Sequence, residues 1–145
     1  IIRALNIIDR KDKIVDIAFE SFKLDNPTAE IACSLGNYYL EKNNFKQAAF
    51  WYRVALDSRP DNYNMAISNS DYYTWIPSLQ LCVCYYNLGN KKCSYFFNEL
   101  AASFNGDSEK ILYNRELFKK EFKDLNTEVP KLDYPLRLSD YTNYL

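Results

Sequence analysis

The stretch Ala29-Glu-Ile-Ala-Cys-Ser-Leu-Gly-Asn-Tyr-Tyr-Leu-Glu-Lys-Asn-Asn-Phe-Lys-Gln-Ala-Ala-Phe-Trp-Tyr-Arg-Val-Ala-Leu56 decides the fold. Its first half sets Ala32, Leu35, Gly36 and Tyr39 at three- and four-residue spacing, and its second half does the same with Ala48, Tyr52, Ala55 and Leu56. That is the period of a helix with one buried face. Thr28 stands where a hydroxyl can cap the free amides, with Ile31 at the third helical position, and Asn43-Asn44 ends the run. Arg59-Pro60-Asp61-Asn62 closes the second run as a turn. Two helices joined by so short a break form an antiparallel hairpin. Gly36 and Ala48 are small where the helices must approach to about 8–10 Å, while Leu35, Tyr39, Tyr52 and Leu56 fill the grooves beside the crossing. Asn43 falls at the reversal, where a left-handed residue is wanted.

The pattern recurs. Ser78-x2-Leu81-Cys82-x2-Tyr85, Gly89, Ser94-x3-Asn98-x2-Ala101 and Gly106 follow the same register after a twelve-residue insertion, Tyr63 to Thr74. A degenerate earlier copy has Val15, Phe19, Phe22 and Pro27 where Ala48, Tyr52, Ala55 and Pro60 stand. The spacing Ala32-x2-Leu35-Gly36-x2-Tyr39, Ala48-x3-Tyr52 and Pro60 resembles the tetratricopeptide repeat, W-x2-L-G-x2-Y, A-x3-F and P, with the first large position reduced to Ala32. The expectation is therefore an all-α chain, an antiparallel helix-hairpin solenoid of about seven helices. These are Ile1–Asp9, Lys11–Lys23, a third ending at Asn43-Asn44, Phe45–Ser58, Thr74 or Trp75 to Leu88, Lys91–Phe104 and Ser108–Lys123. Pro77 is tolerable in the fifth because it lies in the first turn. Residues 1–123 form the repeat domain: partial repeat 1–27, repeat 29–62, insertion 63–74, repeat 75–107 and capping helix 108–123. Residues 124–145 form a Pro-containing tail that packs back on the last helix or reaches a second copy. The start at Ile1, inside uncapped helical sequence, points to a piece of a longer chain.

Composition narrows the function. The 145 residues carry 18 basic and 19 acidic side chains and no histidine. A chain of this length buries roughly two-thirds of its unfolded surface, enough for a core without staples. A net charge of -1 gives no basic footprint for nucleic acid or an anionic membrane. Without histidine there is no Ser-His-Asp, Cys-His or HExxH chemistry. Zinc would need all four cysteines, yet Cys33, Cys82, Cys84 and Cys93 make no CxxC pair, and Cys82 and Cys84 point about 200° apart on a helix. They read as small buried hydrophobes in a reducing cytoplasm. With three glycines in all, no phosphate-cradling loop exists. An acid-base pair such as Asp71 with Glu99 is conceivable but has nothing to support it. No catalytic residue, metal or cofactor is expected.

A helical array works through the face its first helices present. Those positions are Cys33, Asn37, Leu40 and Glu41, then Leu79, Gln80, Val83 and Tyr86, then Tyr113, Asn114 and Lys120. A clamp for acidic tails needs several basic side chains here, and only Lys120 is one. The face instead offers aromatic and aliphatic area with a few amides, which suits an apolar protein segment. Tyr72, Tyr73 and Trp75 in the insertion add an aromatic cluster that would be costly to leave bare. Asn37, Leu40, Tyr72, Tyr73, Trp75, Leu79, Val83, Tyr86 and Tyr113 are the expected partner-binding residues, for a protein, a peptide, or a missing domain of the same chain, with a homodimer possible.

The tract Asp71-Tyr-Tyr-Thr-Trp-Ile-Pro-Ser-Leu-Gln-Leu-Cys-Val-Cys-Tyr-Tyr-Asn-Leu-Gly-Asn90, with Asn98-Glu-Leu-Ala101, Leu112-Tyr-Asn114 and Ala48-Ala-Phe-Trp-Tyr-Arg-Val-Ala-Leu56, resembles the C-terminal repeat region of bacterial family 2 glycosyltransferases. In that family a catalytic domain with a DxD metal motif precedes the helices. This chain has no DxD and no nucleotide-binding sequence. The resemblance implies a non-catalytic accessory segment that positions an acceptor or joins protomers. The other expectation is a free-standing adaptor or peptide-responsive regulator.

Overall fold

A computed structural model describes residues 13–26, 28–58 and 70–145. Among them every regular element is helical, and all six expected helices that fall there form: α1 (Ile14–Phe22), α2 (Ala29–Glu41), α3 (Phe45–Asp57), α4 (Trp75–Asn87), α5 (Lys91–Asn105) and α6 (Glu109–Asp124). Two short 3₁₀ segments, Ser70–Tyr73 and Leu138–Tyr144, complete them. The expected helix Ile1–Asp9, the turn Arg59–Asn62 and the first part of the insertion, Tyr63–Asn69, lie outside the described residues. The chain divides into two compact units, Ile1–Tyr73 and Thr74–Leu145, so the division falls at the end of the inserted stretch.

In the first unit α2 and α3 form the hairpin. Thr28 Oγ1 accepts from the Ile31 amide at 3.3 Å and Asn44 Oδ1 from the Gln47 amide at 3.3 Å, so each helix starts on a side-chain cap. Leu35, Gly36, Ala48, Tyr52 and Ala55 are buried between the helices. A methyl at Gly36 would stand 2.6 Å from the Tyr52 ring, so the glycine is there to admit that ring. The Tyr52 hydroxyl donates to Asn37 Oδ1 at 2.5 Å. Helix α1 buries Ile14 and Ala18 and sets Phe19 and Phe22 on Trp51 of α3.

In the second unit α4 and α5 repeat this plan forty-six residues on. Both first helices run thirteen residues, from Ala29 and from Trp75, and both second helices follow a three-residue turn. The turns are the same. Asn43 (φ 57°) and Gly89 (φ 84°) are left-handed, and Asn44 and Asn90 send their amides back to Tyr39 and Tyr85 at 2.9 and 3.0 Å. This is a Schellman stop, in which the left-handed residue lets the last carbonyls find donors. Asn90 then caps α5 through the Cys93 amide, as Asn44 caps α3. Ser94, at the Ala48 position, donates to the Cys82 carbonyl at 2.7 Å and touches its thiol at 3.3 Å, which satisfies the buried hydroxyl. Asn98, at the Tyr52 position, is fully buried and bonds α6 instead, donating to the Ile111 carbonyl at 3.3 Å and accepting from Asn114 at 3.0 Å.

Helix α6 ends on the same stop, with Asn126 left-handed (φ 53°) and the Thr127 amide on the Phe122 carbonyl. No further α-helix follows, since Pro130 and Pro135 interrupt the next stretch. Of the two placements left open for the tail, the last helix and a second copy, its 3₁₀ segment takes neither within this chain and packs on α5. Asn90 donates to the Tyr144 carbonyl at 2.9 Å, Tyr144 stacks on Phe96, and Tyr141 lies against Tyr85 and Phe97.

Candidate partner-binding groove

Helices α4 and α6 leave a groove between them of about 540 Å³. Trp75, Ile76, Leu79, Gln80 and Val83 line it from α4, and Glu109, Lys110, Tyr113 and Asn114 from α6. The two sets have matching positions, i, i+1, i+4 and i+5, which share one face of a helix. The wall is aromatic and aliphatic, with Gln80 and Asn114 as amides and Glu109 and Lys110 as opposite charges at the helix start. Tyr113 is 69% exposed and Val83 37%, so the apolar lining is open to a ligand. The volume and the mixture of an apolar floor with a few polar groups are those of ligand-sized clefts.

At the other end the helices are tied. The Tyr86 hydroxyl donates to Glu121 of α6, and Lys91 stands 3.5 Å from the second carboxylate oxygen and over the Tyr86 ring. The bond to the Glu121 carboxylate is the main reason the Tyr86 phenol is held above its ordinary pKa, with burial and the charge itself adding to it. Deeper in the unit, Arg115 of α6 grips the nearly buried Glu99 of α5 with three contacts of 2.7 to 3.0 Å. Glu99 is thus a structural anion for α6.

Of the expected residues, the structure brings Trp75, Leu79, Val83 and Tyr113 together in the groove. Tyr86 does not line it but braces its end. Asn37, Leu40, Tyr72 and Tyr73 belong to the first unit: Asn37 is taken up by Tyr52, Leu40 is half-buried, and the Tyr72 carbonyl accepts from the Cys33 thiol at 3.3 Å. Tyr73 was expected to be presented and is instead 3% exposed, because the 3₁₀ turn folds it inward against the hairpin. Ile76, Glu109 and Lys110 were not anticipated. The signal was available, since each precedes by four, or sits beside, a residue already placed on that face.

All four cysteines are buried and no disulfide joins them. Burial pushes the Cys33 thiol up to about 12 and the Cys82 thiol to about 11, so neither is a nucleophile at neutral pH. Among the described residues no group of three or more His, Cys, Asp or Glu side chains could hold a metal ion, and no helix is long and apolar enough to cross a membrane. Compared with family models, curated proteins and solved structures, the chain matches none.

Proposed function

We propose that this chain is a non-catalytic protein-interaction module, and that the groove between α4 and α6 holds an apolar segment of a partner protein. The observation that carries this is the convergence of Trp75, Ile76, Leu79, Val83 and Tyr113 on one open cleft whose other side chains are two amides and a single opposite-charge pair. Such a surface recognises shape and apolar area rather than charge. In this reading the hairpins are of tetratricopeptide type and serve as the accessory part of a family 2 glycosyltransferase, positioning an acceptor protein. The tracts Asp71–Asn90 and Ala48–Leu56 support that assignment through their resemblance to the family.

Two experiments separate the layers of the proposal. Selection of displayed peptides on the chain should enrich aromatic and aliphatic sequences whose affinity drops more than tenfold in Val83→Glu. Selected peptides indifferent to that change would place binding elsewhere. For the enzyme assignment, the coding sequence ahead of Ile1 should specify a glycosyltransferase domain with a DxD motif. Further helical hairpins there would favour the adaptor.

A further inference from the structure

The two walls of the α4–α6 groove present matching positions. Its four α6 positions each stand thirty-four residues after an α4 position, so that Leu79 answers to Tyr113 and Gln80 to Asn114. The helices run parallel, since their first turns line one end of the groove together and the Tyr86–Glu121 bond joins them towards their C-terminal ends. Parallel helices with matching positions bring the two amides, Gln80 and Asn114, to one level on opposite walls.

The bonds already made decide what each amide can offer. The Ile111 carbonyl can only accept, so Asn98 meets it with its NH2 and turns Oδ1 towards Asn114. Asn114 must therefore donate to Asn98, at 3.0 Å, and its own Oδ1 is the end of that chain of bonds. No described residue bonds this oxygen, and it is not shut away from the surface. The buried Asn98 thus sets an acceptor on the α6 wall. Gln80, opposite, bonds no described residue and keeps both its acceptor and its donor.

An acceptor on one wall and an uncommitted amide on the other match an extended main chain. In a strand, successive residues turn their N–H and C=O groups to opposite sides, while side chains go alternately to the floor and to solvent. One residue can then donate to Asn114 Oδ1 while the next gives its N–H and C=O to Gln80. A helix offers neither wall anything from its main chain, because those groups are bonded to one another. The lining from Trp75 to Val83 rises eight residues along α4, about 12 Å, which is room for about four extended residues. We infer that the occupant of the groove is an extended stretch of a partner protein, apolar at alternate positions and held by its main chain between Asn114 and Gln80. This rests on the groove being the partner site, and adds which conformation the site reads.

The test uses the full chain and a displayed peptide, selected on it, whose binding Val83→Glu lowers. Each backbone N–H of the peptide is replaced in turn by an ester oxygen, which removes one donor and adds no bulk. On wild type, replacements at two adjacent residues should each weaken binding by about fivefold or more. One of these losses should vanish in Gln80→Ala, whose fold is not at stake because Gln80 bonds no described residue, and the other in Asn114→Ala. Should Asn114→Ala lose its helical circular dichroism, Gln80→Ala alone decides. Ester losses below about twofold at every position, or losses as large in Gln80→Ala as in wild type, would overturn the extended-chain inference and leave the groove reading standing on the Val83→Glu response. A selection that yields no peptide sensitive to Val83→Glu would overturn the groove reading and this inference together.

Discussion

Gly36 shows how much one side chain decides. Elsewhere in a helix, glycine to alanine gains about 1 kcal/mol in propensity. Here the added carbon would meet three atoms of the Tyr52 ring at 2.6 to 2.8 Å, and that ring is fully buried and cannot swing away. Gly36→Ala should therefore destabilise the first unit by about 1–3 kcal/mol, read as a lower urea midpoint at unchanged slope. Buried ionisable groups set the response to alkali. Cys33 and Cys82 are raised from 9.0 to about 12 and 11, and Tyr95 from 10.0 to about 12, chiefly by burial. In the unfolded chain each ionises near its ordinary value, while in the fold each keeps its proton. Stability should hold below pH 9 and fall as pH rises from there towards 12, since the unfolded state then binds fewer protons. Urea titrations across that window check it. At pH 8 the four thiols should resist alkylation until denaturant is added, and rapid native labelling of Cys33 or Cys82 would contradict the packing.

At the scale of elements, the sequence announces what is local. Thr28, Asn43, Asn44, Gly89 and Asn90 are punctuation whose chemistry acts within a turn, and the helix ends they imply agree with the observed ones to within a residue or two. Contacts between elements are less legible. Asn98 reads as a weak replacement for Tyr52, yet it is one of the polar links that dock α6, because α6 supplies a carbonyl and an amide where the first hairpin supplies Asn37. Asn98→Ala should leave the Asn114 amide without its buried partner, remove the extra bond to the Ile111 carbonyl, and cost about 1–3 kcal/mol. Loss of the α6 signals in amide exchange before those of α4 and α5 would locate the damage. Arg115→Lys should also loosen α6, since an ammonium cannot reproduce the fork that holds both Glu99 oxygens.

At the scale of the molecule, periodicity found the hairpins and half of the groove, because helical spacing tells which residues share a face. It did not find where the tail goes. Leu138–Tyr144 carries a three-residue spacing too short and too polar to register as a helix, and its seat is made by Tyr85, Phe96 and Phe97, more than forty residues away in sequence. Nor could it tell that Tyr73 turns inward while Tyr113 stays exposed, since both are tyrosines at the edge of apolar runs. The groove itself gives the most direct test. Trp75 lines it, and Trp51→Phe leaves Trp75 as the sole tryptophan emitter among the two in the chain. Titrating that variant with a peptide selected on the wild-type chain should shift Trp75 emission to the blue, saturably, and Val83→Glu should abolish the shift without loss of helical circular dichroism. A peptide whose binding is plain by anisotropy but which leaves Trp75 emission unmoved would show that the α4–α6 groove is not where this chain meets its partner.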